Sequence, residues 1–91
     1  MRRDAKADEN QPAIVEALRA VGATVQHLHM IGQGCPDIAV GYQGANYLLE
    51  IKSADGKLTY SEGEWHLDWQ GQVAIVRTID DALDAVGAYP F

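Results

Sequence analysis

The amino-acid sequence predicts an α/β domain in which a mixed sheet is flanked by helices, with a further helix at the carboxyl end. Apolar residues recur at the spacing of an amphipathic helix near both ends of the chain. Short apolar or alternating segments between them predict strands, and one of these, 73–76, is continuously apolar, as expected of a strand covered on both faces. The predicted order is α-β-β-β-α-β-α, over segments 11–21, 24–29, 37–41, 46–52, 59–71, 73–76 and 78–86.

The first helix is predicted from apolar residues that recur at helical spacing and form a stripe along one face. These residues are Ile14, Ala17, Leu18 and Val21. Asn10 is its predicted N-cap, and Gly22 follows its last residue. The last helix shows the same spacing in Ile79, Ala82, Leu83 and Val86.

A second helix is predicted to end at Gly71. Its start is marked by two alternative capping boxes, Thr59 with Glu62 or Ser61 with Glu64. Trp65 and Trp69 then lie four residues apart on one helical face. Such a pair favours packing in the core, although tryptophans can also stack on nucleic-acid bases.

The first strand carries Val25, His27 and His29 on one face. Two histidines at this spacing suit either a half-exposed strand or a pair of metal ligands, and the half-exposed strand is the favoured interpretation. Both side chains could also contact DNA. The next two strands flank a turn that contains Gly44, which predicts a hairpin.

Length and composition predict one domain. The chain has 91 residues, of which 47% are hydrophobic and 22% are charged, enough for a single modest core. We expect a flexible basic arm in residues 1–7 and one domain in residues 8–91. No apolar run reaches membrane-span length, no signal-peptide pattern is present, and the single cysteine, Cys35, cannot form an internal disulfide. These features predict a cytoplasmic protein with no membrane partner.

The net charge of −6 argues against a nucleic-acid partner, because phosphate-binding proteins are usually basic. The distribution of charge weakens that argument. Residues 1–60 contain six Lys or Arg and seven Asp or Glu, whereas residues 61–91 contain one Arg and six Asp or Glu. The acidity therefore lies mainly in the last third of the chain, away from the residues discussed next.

The hairpin determines whether Asp37 shares a face with Glu50 and Lys52, which lie on one side of their strand. A two-residue Gly44-Ala45 loop would place Asp37 opposite Lys52. A four-residue loop over 42–45 would place Asp37 opposite Glu50. Both registers put the three side chains on one face, whereas a three-residue loop would turn Asp37 to the other face.

Two carboxylates beside a lysine suit the hydrolysis of a phosphodiester bond. Carboxylate oxygens bind Mg²⁺ or Mn²⁺, which retain water and are completed by substrate phosphate. Such a cation lowers the pKa of bound water and offsets charge at phosphorus. A lysine can orient or deprotonate that water, or stabilise the transition state. An isolated Glu-x-Lys on a strand is more often a solvated salt bridge, so the position of Asp37 is decisive.

The sequence Pro36-Asp37, twelve further residues and then Glu50-Ile51-Lys52 resembles the signature of PD-(D/E)xK nucleases. Within that superfamily the chain most resembles the compact VRR-NUC domains of phage and bacterial genomes. The resemblance extends from about residue 8 to residue 86. It implies a restriction-endonuclease-like αβββαβ core, to which this chain adds a carboxyl-terminal helix.

The resemblance also implies the roles of several residues. Asp37 and Glu50 would bind Mg²⁺ or Mn²⁺, Ile51 would contribute its backbone carbonyl to the metal, and Lys52 would be the catalytic lysine. The acidic residue that these domains carry in the first helix corresponds best to Asp8, three residues before a glutamine.

Further residues are expected to bind substrate. Gln11 matches the glutamine of the first helix, and Gly34 would let the backbone approach the substrate closely. Lys57 would contact phosphate. Arg2 and Arg3 either contact phosphates or belong to a disordered tail.

The resemblance implies a metal-dependent endonuclease that hydrolyses DNA, with double-stranded, branched or four-way DNA as expected substrates. A homodimer is expected because one small subunit contacts few phosphates, and the second helix is its expected interface. The expected location is the cytoplasm of a bacterial or phage-infected cell. A non-catalytic DNA-binding or assembly module on the same fold is the alternative, and an RNA-cleaving enzyme is a third interpretation.

Overall fold

A computed structural model of the protein describes residues 9–88. Arg2, Arg3, Asp8 and the predicted basic arm lie outside the described residues. The order of elements agrees with the prediction: α1 (Gln11–Ala20), β1 (Thr24–His27), β2 (Ile38–Tyr42), β3 (Ala45–Ile51), α2 (Tyr60–Asp68), β4 (Ala74–Val76) and α3 (Ile79–Ala85). Helices α1 and α3 contact each other, and each also contacts a strand of the sheet. In residues 9–88 no helix is long and apolar enough to cross a membrane.

The four strands form one mixed sheet in the order β1-β2-β3-β4. The first three strands are antiparallel neighbours, and β4 runs parallel to β3. A parallel neighbour requires a crossover connection, which the segment containing α2 provides. The predicted α/β architecture, a mixed sheet with flanking helices, is confirmed.

The β2–β3 hairpin closes on a tight turn at Gln43 and Gly44, which have φ angles of 51° and 83°. Two consecutive residues with positive φ are typical of a type I′ turn, whose twist matches that of paired strands. Tyr42 pairs with Ala45, and continuing this register places Asp37 opposite Glu50. The register predicted with the four-residue loop is therefore correct, although the turn itself is shorter. The alternative Gly44-Ala45 loop was wrong.

The core lies between one face of the sheet and the helices α1 and α3. From α1 it receives Ile14, Val15 and Leu18, and from α3 and the residue after it Ala82, Leu83 and Val86. The sheet contributes Ile38, Val40, Leu49, Ile51 and Val76. Because successive strand residues face opposite sides, Glu50, between Leu49 and Ile51, points away from the side chains of α1 and α3.

Two strand predictions were wrong in detail. Strand β1 ends at His27 rather than at residue 29, and the backbone NH of Leu28 donates to the carbonyl of Asp37 at 2.8 Å. Strand β4 is not covered on both faces, because Ile75 is 40% exposed. It is one of the two edge strands of the sheet, and an apolar run in sequence does not show which strand lies at an edge.

Helix α2 begins as one of the two capping boxes predicted. Thr59 Oγ1 accepts from the backbone NH of Glu62 at 3.2 Å, and Glu62 Oε1 accepts from the backbone NH of Thr59 at 2.9 Å. The helix ends at Asp68, before the predicted Gly71, because its C-cap, Trp69, adopts an extended conformation.

The prediction that Trp65 and Trp69 pack in the core was wrong. In Tyr60–Asp68 no residue is buried. The two rings stack on each other at a centroid distance of 4.5 Å, and Trp69 Nε1 donates to the carbonyl of Gln72 at 3.1 Å. The helical spacing correctly made the two rings neighbours, but they pack on the surface.

Gly34 fixes the loop before β2 against the start of α2. Its φ is +83°, and a Cβ there would collide with the backbone carbonyl of Ser61. The glycine therefore allows two backbone segments to touch. The close approach expected of Gly34 is made to the protein's own backbone.

Gly34→Ala should destabilise the fold more than Gly32→Ala. Both glycines have positive φ, but a Cβ at Gly32 would meet nothing within 4 Å. The left-handed conformation alone costs about 1–2 kcal/mol, and only Gly34→Ala must also displace backbone. Denaturant unfolding measures the difference. Equal losses in the two variants would show that the contact between the loop and α2 is not required.

Candidate active site

Asp37 lies one residue before β2, where its carboxylate faces β3. Asp37 Oδ2 accepts a hydrogen bond from the backbone NH of Ile51 at 2.7 Å. This bond ties the open end of the hairpin together and fixes the direction of the carboxylate. Because Asp37 is opposite Glu50 in the register, the two carboxyl groups converge, as the sequence analysis predicted.

Glu50 is a buried carboxyl group, only 1% exposed. Burial, followed by the nearby charge of Asp37, raises the pKa of Glu50 to about 9. Burial also raises the pKa of Asp37, against the opposing effect of its bond to the NH of Ile51. As a carboxylate, Glu50 would leave Oε1 with no hydrogen-bond partner among the described residues.

Lys52 follows β3 and places its ammonium group between two glutamates. Its Nζ lies 3.6 Å from Glu50 Oε2 and 2.7 Å from Glu62 Oε1. Lys52 is 14% exposed, so its ammonium is at the edge of the buried site. Asp37, Glu50 and Lys52 are therefore brought together as predicted.

Glu62 is the residue of this site that the sequence analysis missed, having assigned it only to the capping box. Burial alone would raise the pKa of Glu62, but its bonds to Lys52 and to the backbone NH of Thr59 lower the pKa below the ordinary value. Glu62 is thus an ionised partner of Lys52. The capping box in the sequence located the start of α2 but carried no signal that this start lies beside Lys52.

The start of α1 is attached to the same end of the sheet through Asn10. Its side-chain amide donates to the carbonyl of Lys52 at 3.1 Å and to the carbonyl of Arg77 at 2.9 Å. The predicted N-cap position at Asn10 is confirmed, although Asn10 has helical dihedral angles and its side chain makes no capping hydrogen bond within the described residues. Instead, Asn10 holds α1 to the carboxyl ends of β3 and β4.

Of the other predicted site residues, Arg2, Arg3 and Asp8 lie outside the described residues. Gln11 is buried, and its Nε2 lies 3.3 Å from Nδ1 of His27. Lys57 is exposed in the loop between β3 and α2. His27 and His29 are exposed, with ring centroids 6.2 Å apart.

Cys35 lacks the environment of a nucleophile. Burial raises the pKa of its thiol, and the carboxylates of Glu50 and Asp37 raise it further. A reactive cysteine needs the opposite effect, because the thiolate is the attacking species. The surroundings of Cys35 therefore disfavour a thiol mechanism.

The carboxyl pair fits a divalent cation. The buried carboxyl group of Glu50 converges with the half-buried one of Asp37, and Oε1 of Glu50 has no hydrogen-bond partner among the described residues. Residues 9–88 contain no group of three or more His, Cys, Asp or Glu side chains arranged to hold a metal. Mg²⁺ commonly binds through one or two carboxylates, with water and substrate oxygens completing its shell. Asp37 and Glu50 are sufficient for that kind of site.

A solved structure described as a VRR_NUC domain is similar to this protein. The similarity covers 88% of this chain and 92% of that chain, with a TM-score of 0.69 and 21% sequence identity. The chain has the fold of a VRR_NUC domain. The fold implied by the sequence resemblance, an α/β fold with the restriction-endonuclease-like arrangement of strands and helices, is therefore confirmed. No protein-family model and no curated protein matches the sequence.

The metal-free protein should lose stability as the pH rises from about 5 to about 9. Glu50 keeps its proton in the folded state up to about pH 9 but has an ordinary value of 4.5 when unfolded. The folded state therefore binds more protons over this interval, and the free energy of unfolding decreases with pH. Asp37, with its raised pKa, acts in the same direction. We expect Tm measured in EDTA to decrease over this range.

Glu50→Gln should flatten that dependence, because a glutamine cannot ionise. Glu64→Gln is the control, since it removes an exposed carboxylate from α2. A Glu50→Gln protein whose Tm depends on pH as steeply as the wild type would contradict the assignment of this effect to Glu50.

Proposed function

We propose that the protein is a metal-dependent endonuclease that hydrolyses phosphodiester bonds in DNA, with Asp37, Glu50 and Lys52 as its catalytic residues. The observation that carries the proposal is the convergence of the buried carboxyl group of Glu50 and the half-buried carboxyl group of Asp37 beside the ammonium of Lys52. Burying two acidic groups together is unfavourable without a cation or a shared proton. The nuclease-type fold supports the same conclusion.

Asp37 and Glu50 would hold Mg²⁺ or Mn²⁺, with the backbone carbonyl of Ile51 as an additional ligand. Asp8 is the proposed acidic residue from the segment before α1. When bound, the cation would lower the pKa of a coordinated water and offset charge on the phosphate. Glu50 would release its proton on loading, because a ligating carboxylate must be ionised.

Lys52 would act at the exposed edge of the site. Its ammonium group can orient the attacking water and stabilise the negative charge that develops on the phosphate oxygens. Lys57, Arg2 and Arg3 are proposed to contact the substrate backbone around this centre, whereas Gln11 is buried and Gly34 lies against the backbone of Ser61. The proposed setting is the cytoplasm of a bacterial or phage-infected cell.

The net charge of −6 is the observation that favours a second function, a non-catalytic DNA-binding or assembly module on the same fold. A module of this kind would have no need for a buried acid pair with an oxygen that lacks a partner. An enzyme acting on RNA would use the same three residues, so DNA and RNA must be compared directly.

The proposed working form is a homodimer that acts on double-stranded or branched DNA. Large apolar side chains are exposed on α2, at its C-cap and on β4: Tyr60, Leu67, Trp69 and Ile75. Leu67 is 80% exposed, which is unusual for a large apolar side chain on a helix. Pairing two subunits through this surface would cover it and would present two active sites to two strands.

Lys52→Ala should abolish cleavage of DNA with little effect on Tm, because the lysine stabilises charge in the transition state and contributes little to packing. Linear, nicked, flapped and four-way DNA and a matched RNA duplex are incubated with Mn²⁺ or Mg²⁺, with EDTA as the blank. Arg19→Gln, which also removes one exposed positive charge, is the control and should cleave like the wild type. Cleavage by Lys52→Ala at the wild-type rate would contradict the mechanism. Binding without any metal-dependent cleavage would favour the non-catalytic module.

Light scattering at micromolar concentration should give twice the mass of one chain. Leu67→Lys should reduce it to that of one chain, because a charge would have to be buried in the interface. Met30→Lys is the matched control, since Met30 is equally exposed but lies in the loop before β2. A wild-type mass of one chain, unchanged when four-way DNA is added, would exclude the homodimer.

A further inference from the structure

We propose that Glu62 is a positioning residue for Lys52, a role that rests on the proposed nuclease function. The geometry behind this assignment is the 2.7 Å contact between Lys52 Nζ and Glu62 Oε1, which is shorter than the 3.6 Å separation between Nζ and Glu50 Oε2. The ammonium group therefore lies between a carboxyl group from β3 and a carboxylate from α2. Of these two contacts, the one with Glu62 is within hydrogen-bond distance.

Glu62 is held in place independently of Lys52. The oxygen that contacts Nζ, Oε1, also accepts from the backbone NH of Thr59 at 2.9 Å, and the NH of Glu62 donates to Thr59 Oγ1 at 3.2 Å. Both ends of the residue are fixed by the capping box. The carboxylate therefore presents a preorganised oxygen to the lysine, with little side-chain entropy left to lose.

The capping box does not by itself require the negative charge of Glu62. Glutamine serves equally well at the N3 position of a capping box, because only a side-chain oxygen acceptor is needed there. The ion pair with Lys52 is an interaction in which the charge matters. The side chains of both residues are largely covered, at 14% and 20% exposed, so the attraction is less screened than that of a surface pair.

A second carboxylate is needed because Glu50 has another proposed task. A carboxylate that ligates a cation has less charge available for a neighbouring ammonium group. Glu62, which lies on a different element and takes no proposed part in ligation, would keep Nζ at the edge of the site in the loaded enzyme. Without it, the flexible four-carbon side chain of Lys52 could turn toward solvent.

Glu62→Gln removes the negative charge but keeps the side-chain oxygen that the capping box needs. Glu64→Gln is the matched control, because it removes a carboxylate on the exposed side of the same helix. Loss of a positioning interaction should lower kcat for DNA cleavage by about ten-fold or more, with KM changed by less than about two-fold. Tm should stay near that of the wild type, because the acceptor for Thr59 is retained. A kcat equal to that of the wild type in Glu62→Gln, or an equal loss in Glu64→Gln, would overturn the proposal.

A spectroscopic readout tests the positioning without relying on activity. The chain has three lysines, so the Cε–Hε signals of Lys52 can be assigned by their absence in Lys52→Arg. A lysine held in one geometry shows two distinct Hε shifts, and Glu62→Gln should merge them while Glu64→Gln leaves them separate. If the wild type cleaves no substrate, the nuclease proposal fails while this measurement still decides whether Glu62 holds Lys52. Merged Hε shifts in the wild type would overturn the positioning role whatever the activity.

Discussion

The register of the β2–β3 hairpin is the constraint on which the site depends. Two features fix this register. The type I′ turn at Gln43-Gly44 closes one end of the hairpin, and the hydrogen bond from the NH of Ile51 to Asp37 holds the other. A slip of one residue would exchange the two faces of a strand. Asp37 would then move away from Glu50, and the apolar side chains of β2 would leave the core. Stability of the core and assembly of the site therefore select the same pairing.

The second constraint is the unfavourable free energy of placing two carboxyl groups together in a partly buried site. Glu50 is almost fully covered, and its pKa of about 9 shows that the protein environment disfavours its charge. Ordinary structural carboxylates in folded proteins have partners that favour ionisation. The hairpin thus holds two carboxyl groups close together. A bound cation would stabilise this pair, whereas without a cation the pair is unfavourable. This is a common relation between stability and function at active sites.

Much of the fold could be predicted because its signals are local. Apolar spacing located the helices, and two possible capping boxes limited the N-cap of α2 to Thr59 or Ser61, of which the structure has Thr59. The motif residues converged as expected because strand alternation fixes which side chains share a face. The loop between the strands was ambiguous, since Gln43 adopts positive φ without being one of the residues that favour it.

The remaining errors concern what lies next to an element in space. The spacing of Trp65 and Trp69 made them neighbours of each other but carried no information about whether the sheet covers them. The exposure of Ile75 follows from the position of β4 at the edge of the sheet, which no pattern within the strand reveals. Glu62 and Lys52 belong to two elements that are connected by a polar loop. The course of that loop, and therefore the contact between the two residues, is set by tertiary packing.

The acidic residues of α3 have a consequence for how the protein would meet a polyanion. Asp80, Asp81 and Asp84 are exposed on this helix, which packs on the face of the sheet opposite to Glu50. Repulsion acts over about one Debye length, roughly 8 Å at physiological ionic strength. A polyanion approaching from the side of α3 would be turned away, whereas on the other side the ammonium of Lys52 offsets part of the negative charge. The uneven charge therefore orients the protein as it meets a polyanion, so that fewer collisions occur at the face that carries α3.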